Sequence, residues 1–577
     1  MTNFYRDNSD IQFHMRSMDF SRIVPLIEDD FAEAEACPYA PDSVRDAVEN
    51  YDSVLEIVGE IAGDFIAPRS RQVDDIGALY QNGEVTYAPG TLEALERINR
   101  ADLAGFILQR KYGGLNMPLT VFSAAIEIVS RADASLMLIF GLQGLAGTLE
   151  KFGSEEQKNR ILPKFASGAV VGSMALTEPD AGSDLQSVAL RATQDENGKW
   201  RLNGVKRFIT TGCAEVSLVL ARSEEGSSGG KGLSMFLYER DDSMKIRRIE
   251  RKLGIKGSPT CELQFDNAEA ELVGRRKFGL VKYTMFLMNS ARLAVGAQSV
   301  GIAEAAFREA DSYAKSRFQF KRSIREIPAV YRLLINMKIT IEAARALLYE
   351  TARLVDMKEG IEKKMERYPE RKSELKGELA KYTKLAALFT PMLKGYASEM
   401  ANRVCYDAIQ VHAGVGFTKE FNVERHYRDA RITSIYEGTT QLQHVAAMGG
   451  IVGGALFGRF DEYESGFDFS AVSNLQNKLR QMRNWLEQAV AFVKSKADSL
   501  YQEHHSERLV DMAVDVVLSY LLTLDAIKSD RKKRVAQLFI LGAQHRVKAA
   551  MEQIVSGDDS LIKHHLDVLD REEDRDF

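Results

Sequence analysis

Near Gly172 the hydrophobic rhythm of this chain changes from a helical spacing to alternation, and near Phe278 it changes back. A 3.6-residue stripe and a two-residue stripe cannot cover the same surface, so sheet and helices must form separate packed units. SVALRATQDENGKWRLNGVKRFITTG gives strand, turn and strand, with turns expected at Glu196-Asn197-Gly198 and Asn203-Gly204. SLVLARS, GLSMFLYER and CELQFD continue the pattern as short apolar or alternating runs.

On either side the text is helical. DSVRDAVENYDSVLEIVGEIAGDFIAPRS spaces Val44, Val48, Val54, Ile57, Val58 and Ile61 on one stripe and stops near Pro68. Tyr112-Gly113-Gly114 is a turn between helices. The expected fold is mainly α with a central β domain. Its parts are an extended N-terminal arm (1–45, with Pro25, Pro38 and Pro41), a helical domain (46–171), the β domain (172–273), a helical bundle (274–450) and a C-terminal helical extension (451–577). The stretch 355–378 is densely charged and reads as a solvated insertion. IVGGALFG reads as a glycine-rich linker; it has no Lys-Ser/Thr pair and follows no strand, so it is not a phosphate loop. Arg531-Lys532-Lys533-Arg534 reads as a solvated helix face, and the acidic end DREEDRDF as frayed.

Composition removes several function classes. At 577 residues the chain is too long for one core. Its 76 Lys and Arg against 82 Asp and Glu leave a formal net charge of −6, which argues against a nucleic-acid partner. No apolar run is long enough for a membrane-spanning helix, and the first residues, MTNFYRDNSDIQFHMRSMDF, contain no apolar leader core. Cys37, Cys213, Cys261 and Cys405 are scattered, with no C-x-x-C pair. This disfavours a thiolate metal site and a disulfide framework, and a cytoplasmic setting is expected.

Four stretches bear chemistry. Met174-Ala-Leu-Thr-Glu-Pro-Asp-Ala-Gly-Ser183 ends a strand in a turn rich in hydroxyls and backbone N–H groups, which can bond a flat heterocycle with many acceptors. Phe208-Ile-Thr-Thr-Gly212 puts an aromatic ring and the Thr210 hydroxyl on one strand face. Tyr313-Ala-Lys-Ser-Arg-Phe-Gln-Phe320, near a helix end, offers the Arg317 fork, which matches pyrophosphate geometry. QVHAGVGFTKEFNVERHYRDARITSIYEGTTQLQ sets Glu437 between Ile432, Ile435 and Tyr436 on one side and Gly438 on the other. Desolvation there would raise the carboxyl pKa toward what a general base near neutral pH needs. Each stretch taken alone is also compatible with ordinary packing or a solvated surface.

In this order and spacing the four resemble the acyl-CoA dehydrogenase family over about residues 55–450, most specifically in ALTEPDAGSD, LGIKGSPTCELQFDN, YAKSRFQF and YRDARITSIYEGTTQLQ. The resemblance implies a helical, β-barrel and four-helix-bundle order. It implies FAD as cofactor, its ring beside Met174, Leu176, Thr177, Phe208, Ile209 and Thr210, with Ser183 contacting flavin or substrate. Arg317, Gln319, Gln410, Val411 and Gly414 match positions that hold the pyrophosphate and adenosine half across a subunit interface, and Thr439 and Gln441 match another cofactor segment. A homodimer or dimer of dimers is therefore implied.

The implied reaction is α,β-dehydrogenation of an acyl-CoA to the trans-2-enoyl-CoA, with electrons passed to electron-transfer flavoprotein. Glu437 matches the catalytic base, and Arg292 and Gly438 match substrate-contacting positions. Some members carry the base on a preceding helix instead; here that site is Ala291, which favours a straight-chain style of site over the isovaleryl style. Phe208 stands where many members have Trp, and Ile327-Pro328 replaces a more polar pair. The insertion and long tail resemble bacterial members similar to 3-(methylthio)propanoyl-CoA dehydrogenase. Very-long-chain members also carry a tail, which aids membrane association, but here the tail holds slightly more acid than base and gives no support for anionic lipid. The competing readings are an acyl-CoA oxidase, in which oxygen takes the electrons, and a scaffold that keeps the fold without catalysis.

Overall fold

A computed structural model describes residues 2–141 and 143–570. The expected arm is not extended. It folds into helices α1 (Ser9–Ser17) and α2 (Ile23–Ile27) and buries Tyr5, Ile11, Phe20 and Val24. Asn8 caps α1 by accepting from the N–H groups of Asp10 and Ile11. The arm lies tightly on α3 (Val44–Glu60): a Cβ on Gly59 would come within 2.6 Å of the Tyr5 nitrogen.

Helix α3 runs on through a π turn, Ile61–Ile66, and is followed by α4 (Ser70–Ile76), the hairpin β1 (Leu79–Gln81) and β2 (Glu84–Thr86), and α5 (Pro89–Arg100). The apolar helices α6 (Leu119–Ala132), α7 (Ala134–Phe140) and α8 (Gln143–Phe152) come next, and α9 (Glu155–Ala166) closes this part with a Ser154–Gln157 capping box.

The β unit contains β3 (Gly172–Ala175), β4 (Arg191–Gln194), β5 (Trp200–Thr210), β6 (Val216–Arg222), β7 (Leu233–Glu239), β8 (Met244–Ile249) and β9 (Thr260–Val273). The order β6–β4–β5–β9–β7 closes into a barrel because β7 also pairs with β6; β3 pairs with β6 in parallel and β8 pairs with β9. Asn203-Gly204 is not a turn. β5 passes through it with a register shift between Leu202 and Gly204. A second shift lies between Lys206 and Ile209 and is important at the site.

The bundle is built on three long helices: α10 (Met285–Ser316), α11 (Pro328–Arg367) and α12 (Lys372–His412). The small hairpin β10 (Phe318–Gln319) and β11 (Arg322–Ser323) separates α10 from α11, while α13 (Val423–Ala430) and α14 (Thr440–Val452) follow α12. The charged insertion is the far end of α11 and the start of α12, and it is only partly solvated. Met357, Ile361 and Leu375 are buried, and Lys364 pairs with Asp29 and Asp30 at 2.9 and 2.6 Å.

The glycine-rich linker is helical too, apart from a turn at Gly453-Gly454 between α14 and α15 (Ala455–Gly466). Helices α16 (Ser473–Lys496), α17 (Ser499–His504), α18 (Ser506–Lys528), α19 (Asp530–Val555) and α20 (Ser560–Asp570) complete the extension. DREEDRDF falls outside the described residues apart from Asp570.

The extension shares one hydrophobic core with the arm and bundle. It is also tied to them by buried charge. Arg345 on α11 bonds Asp10, Glu127 and Glu304 at 2.5, 2.7 and 2.8 Å. Lys532 on α19 pairs with Asp10, and with Glu342 at 3.0 Å. The basic run at 531–534 is therefore only partly solvated: Arg534 is exposed, but Lys532 is buried and Arg531 forks onto Glu342. Among the described residues, no helix is long and apolar enough to cross a membrane.

Candidate active site

Two pieces of backbone build the site. The first is the end of β5. Between Lys206 and Ile209 the strand carries an extra residue, and Phe208 takes a left-handed conformation with φ +60°. Lys206 and Ile209 both point into the barrel, so Arg207 and Phe208 both face outward, and the Phe208 ring is 51% exposed. The Arg207 guanidinium sits 4.6 Å from the Phe208 ring centre.

The loop after β3 is fastened to the same strand. Buried Lys206 donates to the Leu176 carbonyl and to Glu178, both at 2.8 Å, and burial pulls its pKa down to about 8. Glu178 in turn accepts from the Ala189 and Leu190 N–H groups. The Arg207 N–H bonds the Thr177 carbonyl at 2.9 Å. Met174, Thr177 and Thr210 are half-buried and Ser183 is exposed. Leu176 and Ile209 turn their side chains inward, so these two positions offer backbone to a ligand. Nearby, the buried hydroxyls of Thr211 and Ser258 have no partner within the described residues.

The second piece is the loop between α13 and α14. Glu437 adopts φ +56°, an uncommon conformation for a residue with a side chain. Gly438 follows at φ +92°, where a Cβ would come within 2.7 Å of Gln443 Nε2. Both carbonyls are held from behind. Arg292 Nε donates to the Glu437 oxygen at 3.3 Å, and Gln443 donates to the Glu437 and Gly438 oxygens at 3.2 and 2.9 Å. Lys394 donates to the Gly438 oxygen at 2.6 Å. Thr439 caps α14 by accepting from the Leu442 N–H.

Among the described residues, the Glu437 N–H donates to no protein acceptor and its carboxylate accepts no hydrogen bond. The side chain is half-buried and closely surrounded by protein. Desolvation pushes its pKa up, against the opposing pull of Arg292 and Lys394.

The two pieces are joined through the β8–β9 loop. The Thr211 N–H bonds the Pro259 carbonyl, the Ile255 N–H bonds Asp429, and Arg428 donates to the Leu253 carbonyl. Asp429 and Arg428 lie on the helix that leads into the Glu437 loop.

The remaining expected residues lie elsewhere. Arg317 and Gln319 are exposed just past the end of α10, and Gln410 and Gly414 are exposed around the end of α12. Stacking of Tyr313 on His412, centroids 4.4 Å apart, holds these two ends together. Val411 is buried and could offer a ligand only its backbone. Gln441 is exposed on the first turn of α14. Arg292 and Arg317 are separated by most of α10, about 38 Å at 1.5 Å per residue. One chain therefore does not bring Arg317 to the loop that carries Glu437.

Family models for the N-terminal, middle and C-terminal domains of acyl-CoA dehydrogenases match residues 49–169, 173–268 and 281–448. A further acyl-CoA dehydrogenase C-terminal model matches 453–558. The chain is 35% identical to 3-methylmercaptopropionyl-CoA dehydrogenase of Ruegeria pomeroyi over 421 residues, 68% of each chain. This chain belongs to the acyl-CoA dehydrogenase family. Butyryl-CoA dehydrogenase of Megasphaera elsdenii superposes with a TM-score of 0.60 at 29% identity, covering 71% of this chain and 99% of that one. An acyl-CoA dehydrogenase from Bacillus anthracis, described as complexed with FAD, matches in fold over 90% of this chain and 91% of its own, with a TM-score of 0.73 at 24% identity. As an acyl-CoA dehydrogenase, the chain is an oxidoreductase of the helical, barrel and helical architecture expected from its sequence.

Sequence reasoning missed Lys394, Gln443, Lys206 and Glu178. Lys394 did leave a signal, as a single cation inside the apolar run LAALFTPMLKGYA.

Proposed function

We propose that this protein is an FAD-dependent dehydrogenase of acyl-CoA thioesters, with Glu437 as the base that removes the α-proton. The observation that carries the reading is the state of the Glu437 carboxyl: raised by burial, accepting no hydrogen bond among the described residues, and mounted on a loop whose carbonyls are tied off behind it.

The end of β5 suits a flat aromatic cofactor. The bulge turns Phe208 outward, the neighbouring positions offer backbone, and the buried Thr211 and Ser258 hydroxyls have no partner among the described residues. Met174, Leu176, Thr177, Phe208, Ile209 and Thr210 would hold the ring, with Ser183 at its edge. The chemistry FAD supplies when bound is acceptance of the β-hydride, the electrons then leaving to electron-transfer flavoprotein.

The protein's own part is to make the α-carbon acidic enough. Glu437 must arrive unprotonated yet basic, and a carboxyl raised by desolvation meets both needs near neutral pH. Its unpaired N–H can donate to the thioester carbonyl as enolate charge develops; one such preorganised donor is worth about 2.7–4 kcal/mol. Arg292 and Gly438 shape the loop around that carbonyl. Proton loss to Glu437 and loss of the β-hydrogen leave a trans-2-enoyl-CoA.

Arg317, Gln319, Gln410 and Gly414 are too far from Glu437 to complete the same site in one chain. A second copy supplying that end of its bundle to the distal half of FAD accounts for their exposure and for the uncovered rings of Phe318, Phe320 and Phe417.

The test is anaerobic addition of a panel of acyl-CoAs, from short to long and including branched and thioether chains. At least one should bleach the yellow protein and yield its enoyl-CoA. Bleaching by none would refute the reading, and peroxide formed in step with acyl-CoA consumption would move it to an oxidase.

A further inference from the structure

Lys394 lies in the middle of α12 and is fully buried, which is rare for lysine. Its ammonium reaches the carbonyl of Gly438, the residue after the base, at 2.6 Å. Gln443 supports the same carbonyl from α14, and Arg292 supports the preceding one from α10. Three helices thus place donors behind two successive peptide groups. In an ordinary turn these carbonyls would be solvated, and each peptide plane could rotate and re-aim the loop. Here neither can rotate without breaking charge-assisted bonds.

We propose that Lys394 is a positioning residue for the dehydrogenation: by fixing the Gly438 carbonyl it fixes the path of the loop and with it the direction of the Glu437 carboxylate, and its charge steadies the carboxylate form. The proposal rests on Glu437 acting as the base. Two features favour it over simple packing. A buried ammonium is expensive unless something needs its charge, and the donor set is aimed at main chain, which sets the path of the loop. The charge also acts in the expected direction, because Lys394 opposes the desolvation that raises the Glu437 carboxyl. The charged and titratable groups facing the pair are Arg292 on α10, Glu399 on α12, and Tyr436 on the loop itself. The Thr440 hydroxyl bonds Glu399. Burial lowers the Lys394 pKa to about 8, so its charge is held at pH 7 and lost in the mildly alkaline range.

The experiment compares wild type, Lys394→Met and Lys394→Gln as purified flavoproteins. It measures FAD content, melting temperature, acyl-CoA affinity and the anaerobic bleaching rate from pH 6 to 9, using whichever panel acyl-CoA reduces wild type fastest. Lys394→Met should keep its FAD and bind acyl-CoA within about threefold, yet bleach about 10²-fold more slowly, in kcat and not KM. Its rising pH limb should move to higher pH. Lys394→Gln keeps a donor without the charge. It should recover most of the rate while retaining the displaced limb.

Unchanged rates and profiles in both variants would overturn the proposal. So would a loss of rate that merely follows loss of FAD or of folded protein, with no movement of the pH limb. If Lys394→Met does not fold, Lys394→Gln decides the matter by its pH limb alone. Failure of wild type to bleach would instead refute the dehydrogenase reading on which the proposal rests, which keeps the two failures apart.

Discussion

The Arg292 guanidinium donates through Nε to the carbonyl oxygen of Glu437 at 3.3 Å, linking the first turns of α10 to the loop between α13 and α14. A second nitrogen of the same group bonds Asn289 one turn back, at 3.2 Å. The arginine is nearly enclosed, so no water replaces it readily.

Replacing Arg292 should therefore loosen the loop more than it weakens the fold. A hydrogen bond to a charged group is worth about 1.5–3 kcal/mol, so Arg292→Met should slow anaerobic bleaching by roughly 10- to 100-fold. Arg292→Lys should recover little, because an ammonium cannot offer the planar pair of donors. FAD content should be unchanged. A drop in FAD matching the drop in rate would contradict this assignment.

Acidity gives a second prediction. Burial raises the Glu437 carboxyl above its ordinary value of 4.5, and as the proposed base it must be ionised to act. The bleaching rate should thus rise with pH through a midpoint above 4.5. The stability sign is opposite: a folded carboxyl with a raised pKa holds its proton better than the unfolded one. Its contribution is full at low pH and is lost as pH rises through the folded value. A rate that stays flat down to pH 4.5 would refute the raised carboxyl.

The charge network predicts how the extension is retained. Arg345 pairs with Asp10, Glu127 and Glu304 in a buried cluster that continues to Lys532 and Glu342 on either side of the extension's contact. Removing one partner of a buried pair strands the others, at a cost of about 3–5 kcal/mol. Arg345→Met should lower denaturant stability by about that amount and expose the arm and the extension together to protease. A loss below about 1 kcal/mol would show the cluster to be energetically neutral.

The distance between Arg317 and Glu437 predicts complementation. Arg317→Glu and Glu437→Gln should each be inactive alone, the first through lost FAD. Unfolding and refolding the two together should restore activity, because one of the two sites in a mixed dimer would inherit both wild-type residues. No recovery in verified mixed dimers would place Arg317 outside the site.

Much of this was legible in the text because hydrophobic period is a local property. The change near Gly172 marked the β unit, and the apolar residues before Glu437 marked a desolvated carboxylate. What escaped depends on partners distant in sequence. Asn203-Gly204 has the composition of a turn, but pairing with β9 carries it through as a bulge. The arm carries three prolines and only short helices, and its order comes from packing on α3 and α11. Arg531 and Lys532 looked solvated because their counter-charges, Asp10 and Glu342, lie far earlier in the sequence. The outward turn of Phe208 rests on one extra residue that no local pattern announces.

The most direct measurement is anaerobic reduction of Glu437→Gln by the acyl-CoA that bleaches wild type best. The amide keeps the shape and the backbone N–H and removes only the basic oxygen. The variant should stay yellow, bind FAD and acyl-CoA normally, and bleach at least about 10²–10⁴-fold more slowly. Bleaching at the wild-type rate would mean that the α-proton leaves to some other group.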